Sequence, residues 1–179
     1  MRKFVLLAAC LSFLFACNNE KTGETIDSRS DSTGTSKQIT YAYTPKTMPN
    51  WEVGDPENAA MVLKSLKAYE MGNVDESLSY FADSVEFLAD GYYFHGTKDS
   101  LVKIMKAERD GIKEMTIDMH DWESVHGKSN GENWVSLWYM TKWTDKAGKV
   151  DSVIEMDDAK IVNGKIRQLD IKTRHFPKK

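Results

Sequence analysis

The distribution of apolar residues predicts an α+β domain, three helices packed on one face of a curved, mainly antiparallel sheet. Between residues 56 and 111 apolar side chains recur at helical spacing in three blocks, each preceded by a residue suited to capping. From residue 115 onward, period-two alternation and β-branched or aromatic residues fill four long runs separated by short turn signals. Residues 18 to 50 show neither pattern.

Asp55-Pro56 supplies an N-cap with proline at the first helical position, and Gly72 a stop; Ala59, Val62, Leu63, Leu66 and Tyr69 form one face between them. Asn73 with Glu76 three residues on reads as a capping box for a second, short helix with Leu78 and Phe81 on its apolar side. Ser84 to Ala89 and Tyr92 to His95 flank Asp90-Gly91, a two-residue hairpin signal. Thr97 caps a third helix that turns Leu101, Ile104 and Met105 inward and ends at Gly111. Met115, Ile117 and Met119 alternate with Thr116, Asp118 and His120; strands follow at Trp134 to Thr144, Val150 to Val162 and Ile166 to His175, the last two joined by Asn163-Gly164. The order α-α-β-β-α-β-β-β-β puts the helices on one sheet face, and a strongly twisted sheet wrapped on helices makes a cone with an open mouth.

The amino terminus is of another kind. Met1-Arg2-Lys3 is positive, and Phe4 to Ala16 carries no charge but is shorter than the ~20 apolar residues that span a bilayer. The run ends at Cys17, followed by Asn18-Asn19-Glu20-Lys21. Leu14-Phe15-Ala16-Cys17 resembles the lipobox of bacterial lipoproteins, with Phe at −2 a departure from the commonest pattern. Leu7-Ala8-Ala9-Cys10 matches by letters but leaves six apolar residues before the cut and a greasy stretch after it. Residues 1–16 are therefore expected to be a cleaved signal peptide. Cys17 is expected to carry acyl chains that hold the protein to a membrane of the cell envelope. The absence of Asp directly after Cys17 points to the outer rather than the inner membrane. Residues 17–50 form a polar linker, a third of it Ser or Thr, with a reach of ~30 Å. Residues 51–179 form the domain.

Composition excludes several function classes. Cys10 and Cys17 are the only cysteines, so cleavage and lipidation leave no thiol for a disulfide, a metal site or a nucleophile. With 24 basic and 27 acidic residues, and two of the basic ones in the leader, the chain has no global attraction for nucleic acid. No metal-ligand spacing, phosphate loop or Ser-His-Asp pattern occurs, and no cofactor is expected.

Four segments carry a family resemblance. They are Ala68-Tyr69-Glu70-Met71-Gly72-Asn73-Val74-Asp75, Tyr80-Phe81-Ala82-Asp83-Ser84-Val85, Gly96 leading to Leu101, and Val162-Asn163-Gly164-Lys165-Ile166. Over about residues 56 to 176 the chain resembles the nuclear transport factor 2-like superfamily, in its SnoaL-like branch. The resemblance implies the cone-like fold. It does not select an activity, because the fold hosts isomerases, cyclases, dehydratases, binding proteins and scaffolds. Members similar to ketosteroid isomerase carry an Asp base where this chain has Phe87 and Leu88. SnoaL-like cyclases use an Asp on the last strand, where Asp170 stands here.

His95, before Gly96 at the expected mouth, is the second acid–base candidate beside Asp170. Asp118 and His120 share a strand face that alternates with an apolar set; His126 and His175 lie by a turn and by the tail. Asp157 and Asp158 are adjacent on a strand, so they point to opposite faces and cannot grip one ion together. Trp122, Trp134, Trp138 and Tyr139 are candidates for lining the pocket or a dimer face; Val135, Leu137 and Tyr139 form the more uniform core set, which leaves Trp134 and Trp138 for the open face. Three readings follow, in order. The first is a membrane-anchored domain whose pocket binds a small apolar or amphipathic molecule. The second is a cofactor-free isomerase, cyclase or dehydratase. The third is an envelope interaction module using the sheet face. A homodimer through that face is expected, since superfamily members often pair there.

Replacing Cys17 with Ser should abolish acylation and leave unprocessed precursor, because acyl chains contribute ~0.8 kcal/mol per buried CH₂ and the domain offers no other anchor. Metabolic labelling with a radioactive fatty acid checks this; label retained by the Cys17→Ser protein would remove the assignment.

Overall fold

The computed structural model describes residues 42–177, so Cys17 and most of the linker lie outside the described residues. The elements are β1 (Trp51–Val53), α1 (Pro56–Glu70), α2 (Val74–Ser79), β2 (Phe81–Ala89), β3 (Tyr92–Thr97), α3 (Lys98–Asp110), β4 (Ile112–Gly127), β5 (Asn133–Asp145), β6 (Val150–Val162) and β7 (Lys165–His175). They form one seven-stranded sheet in the order β1-β4-β5-β6-β7-β2-β3. All neighbours are antiparallel except β2 and β7.

Local chemistry sets the boundaries. Asp55 caps α1 by accepting from the Glu57 amide at 2.8 Å. Gly72 ends α1 at φ +85°, and the bonds from Gly72 N–H to Tyr69 O and from Asn73 N–H to Ala68 O make a Schellman closure. Thr97 caps α3 through the Ser100 amide. Asn163 and Gly164 both take positive φ, as a tight hairpin turn between β6 and β7 requires.

Three local expectations need correction. Asn73 makes no side-chain cap to α2; the helix is fastened instead by Ser65, whose buried hydroxyl donates to the Ser77 carbonyl at 2.9 Å. Phe81 opens β2 rather than closing α2, and is buried there. The last two residues of the expected linker, and the first three of the domain, for which no strand is expected, are also tied down. The Pro49 and Asn50 carbonyls accept from Ser129 and Lys128, and Trp51–Val53 pairs with Val125–Gly127. A three-residue strand is too short for its periodicity to be read.

β3 lies at one sheet edge and β4 beside the other, so α3 carries the chain back across one face, the face that α1 and α2 also cover. The core forms there. Val135, Leu137 and Tyr139 of β5, Ala159 and Ile161 of β6, and Val85 and Phe87 of β2 meet Ala59, Val62, Leu78, Leu101 and Met105. Trp134 and Trp138 alternate with the buried β5 set and lie on the outer face.

The helices are fastened to the sheet at one corner. The Arg109 guanidinium near the end of α3 donates to the carbonyls of Tyr69 at 3.1 Å, Glu70 at 2.9 Å and Ile112 at 3.0 Å. Glu70 in turn accepts from the Ile117 amide at 3.2 Å. The last turn of α1 is thereby held against β4.

Arg109→Lys should lower stability by about 2–3 kcal/mol, because one ammonium cannot reach three divergent carbonyls and partly buried acceptors are left without donors. A urea titration of the two proteins checks the figure.

Candidate functional site

Two carboxyls stand in phase with the core set of β6. Val153, Asp157, Ala159 and Ile161 are buried on the helix side of the sheet, and Glu155, in the same alternation, is partly buried. Asp157 is only 2% exposed. Its Oδ2 accepts from the Tyr139 hydroxyl at 2.6 Å, whereas its Oδ1 is buried without a hydrogen-bond partner. Thr141 donates its hydroxyl to Glu155. Tyr139 faces Glu155 across β5 and β6, and Tyr69 reaches the same region from the last turn of α1, held there by Arg109.

The electrostatics follow from burial without a counter-ion. Asp157 is pushed up to about 8, chiefly by burial, with the charge of Glu155 adding to it and the Tyr139 bond opposing it. Burial also raises Glu155, against the hydrogen bond from Thr141. Tyr139 and Tyr69 are held well above the usual phenol range, first by burial and then by nearby acidic groups. Around neutral pH the cluster therefore holds a carboxyl that can give or take a proton inside an apolar shell that includes Met119, Leu169 and Ile171.

The residues singled out by sequence divide sharply. Tyr139 belongs to this cluster. Asp170 does not: it pairs with Asp158 on the outer face, where Lys172 lies 2.9 Å from it. His95 is exposed on the edge strand opposite Glu86, in alternation with the inward Phe94. Neither is near enough to serve an interior site. Trp122 sits opposite Leu137 and is 49% exposed. Trp134 is partly covered by its own neighbours, with its indole N–H on Glu132 and the Lys160 ammonium 5.4 Å from its ring. His120 and Asp118 are 4.0 Å apart, both largely exposed. Asp158 points outward as its adjacency to Asp157 predicts, bonded by Ser136 and Lys172.

In sequence Asp157 is set aside as a pair with Asp158, Tyr69 reads as part of the apolar face of α1, and Glu155 is not singled out. The signal was present for two of them: Val153, Glu155, Asp157, Ala159 and Ile161 alternate as one inward set, and two carboxylates in phase with core residues are uncommon without a role. Among the described residues no group of three His, Cys, Asp or Glu side chains is placed to hold a metal ion. A surface cleft of about 1040 Å³ lies elsewhere, between the α1–α2 turn and the end of α3, and is bridged by the Lys106–Asp75 and Lys146–Asp110 ion pairs.

No protein-family model matches the chain, and no curated protein is significantly similar to it. Solved structures are similar in shape. An LEH-like epoxide hydrolase of M. tuberculosis superposes with a TM-score of 0.56 at 11% identity, over 66% of this chain and 84% of that one. An NTF2-like protein of unknown function from Burkholderia pseudomallei gives 0.55 at 17%, over 65% and 90%. An uncharacterized cystatin-fold protein from Novosphingobium aromaticivorans gives 0.54 at 15%, over 64% and 97%. The chain has the nuclear transport factor 2-like fold, α+β, with three helices on a curved, mainly antiparallel sheet.

Asp157 sets a pH dependence whose sign is fixed by the direction of its shift. An unfolded Asp titrates near ~3.9, so between about 4 and 8 the folded chain keeps a proton that the unfolded chain loses. The contribution of Asp157 to stability is complete below pH 4, falls by at most ~1.4 kcal/mol per unit as pH rises to 8, and is flat above. Asp157→Asn lacks this loss and should be the more stable protein at pH 8, with the gap closing toward pH 4. Urea midpoints at pH 4.5, 6 and 8 test it; a variant less stable than wild type at pH 8 contradicts it.

Proposed function

We propose that the domain binds a small amphipathic molecule inside the cone, with the polar end of the ligand at Asp157 and Glu155 and its apolar body against the surrounding core. The supporting observation is the Asp157 carboxyl, 2% exposed and with one oxygen unpaired. Such a group costs stability, and a ligand that bonds to it recovers that cost. Cys17 would hold this activity at the membrane, with the linker giving the domain free reach.

The titration of Asp157 near neutrality favours one second reading: cofactor-free acid–base catalysis of the isomerase, cyclase or dehydratase kind, with Asp157 taking the role first considered for His95 and Asp170. Binding ranks first, because no second group is placed as a catalytic partner for the Asp157–Tyr139 pair across an open site.

A homodimer through the outer sheet face belongs to the same proposal. Two cross-strand rows on that face run Asp118–Met140–Ile154–Arg174 and Asp121–Trp138–Met156–Lys172, acid on β4, apolar on β5 and β6, base on β7. A two-fold axis parallel to the strands lays each acidic rim over the partner's basic rim and joins the apolar centres, of which Met156 is 41% exposed.

Native mass spectrometry of the full protein should find a small molecule carried through purification and lost on Asp157→Leu, while a Trp138→Thr, Met156→Thr variant should sediment as a folded monomer. Absence of any ligand from wild type, together with no thermal shift across a panel of small amphiphiles, would remove the binding reading. A monomeric wild type at high micromolar concentration would remove the dimer.

A further inference from the structure

We infer that the interior cluster selects a cation: a protonated amine on a compact apolar frame, its ammonium seated between Asp157 and Glu155. The inference deepens the binding reading above and rests on it.

Hydrogen-bond accounting sets the sign of the ligand charge. The Tyr139 hydroxyl is spent on Asp157 Oδ2, and the Thr141 hydroxyl on Glu155. Once Asp157 is ionised, the oxygen left over is an acceptor, and what the ionised pair lacks is a donor. No cation is paired with it either: Arg167, whose Nη1 is likewise buried without a partner, stands on β7 at the bulge beside Ile166, whereas Asp157 faces Ile171. Arg109 is the cation of the helices closest in effect, but each of its three nitrogens donates to a backbone carbonyl. Lys172 stands on the outer face, 2.7 Å from Asp158 and 2.9 Å from Asp170. The remaining charged or titratable groups that act on the cluster are Tyr69 from α1, Glu108 from α3 and Asp158 from the far side of β6, none of them cationic at neutral pH.

Other ligand classes fit less well. An anion would be placed beside two carboxyl groups with no cation to offset them. A metal ion would find two protein carboxylates where a site needs three or more ligands. An ammonium brings three N–H donors, enough for Asp157 Oδ1, for Glu155 and for the Tyr69 phenol oxygen. Its arrival would also ionise Asp157, so binding at neutral pH should release a proton to solvent.

The test uses benzylamine, benzyl alcohol and benzoate as probes of equal shape and different charge, titrated calorimetrically into the full-length protein in detergent at pH 7, in two buffers of different ionisation enthalpy. Benzylamine should bind at least ten-fold more tightly than benzyl alcohol, with benzoate weakest, and its heat should differ between buffers by the amount that reports proton release. Asp157→Asn, and independently Glu155→Gln, should each remove the preference for benzylamine over benzyl alcohol. Equal binding of amine and alcohol, a preference for benzoate, or a preference that survives both substitutions overturns the cationic assignment and leaves the binding reading standing. Failure of all three probes to bind overturns both.

Discussion

Arg109 ties three chain ends to one point. α1 ends there, α3 ends there and β4 begins there: from α3 the guanidinium donates to the Tyr69 and Glu70 carbonyls at the end of α1 and to the Ile112 carbonyl at the start of β4. One guanidinium satisfies all three. With Glu70 bonded to the Ile117 amide, it presses the last turn of α1 onto the sheet. Tyr69 belongs to that turn, so the wall of the interior cluster depends on this corner being closed.

The same closure explains why the cluster is chemically unusual. A sheet with one open face would let Asp157 and Glu155 point into water, where they would titrate as ordinary acids. Three helices on that face replace water with apolar side chains, and the cost of charging a carboxyl rises with the water removed. Tyr139 offsets part of that cost through its bond to Asp157, but a hydroxyl is a weaker partner than a cation. The domain thus keeps an incompletely satisfied acid in its core, at the expense of stability above pH 4.

The outer face follows the opposite logic. Its polar groups are engaged with one another: Glu132 with Trp134 and Lys160, and Asp158 with Ser136 and Lys172. Because these pairs are wet, each contributes little to folding. Their arrangement nevertheless leaves the apolar centre of the face bounded by acid on one side and base on the other, a pattern able to set the orientation of a partner more than the strength of its binding.

Much of the architecture is local and was legible in the chain. Helical and alternating periodicities, the Asp55 and Thr97 caps, Gly72, and the Asp90-Gly91 and Asn163-Gly164 turns each act within a few residues, so three helices, the long strands and the helix-covered face could be read directly. The assignment of Val135, Leu137 and Tyr139 to the inside follows from the same alternation. What tertiary structure alone decided is non-local. The parallel pairing of β2 with β7 and the docking of Trp51–Val53 on β4 join segments about 75 or more residues apart. The Arg109 corner joins α1 to α3 across a shorter separation, 40 residues from Tyr69. The site depends on the same kind of information: Asp170 and Asp157 both look like strand carboxylates in sequence, and the pairing of β5, β6 and β7 beneath the helices leaves one outside against Lys172 and the other inside against Tyr139. A side chain's face is set by its own strand, but whether that face meets water or a helix is set by everything else that packs on it.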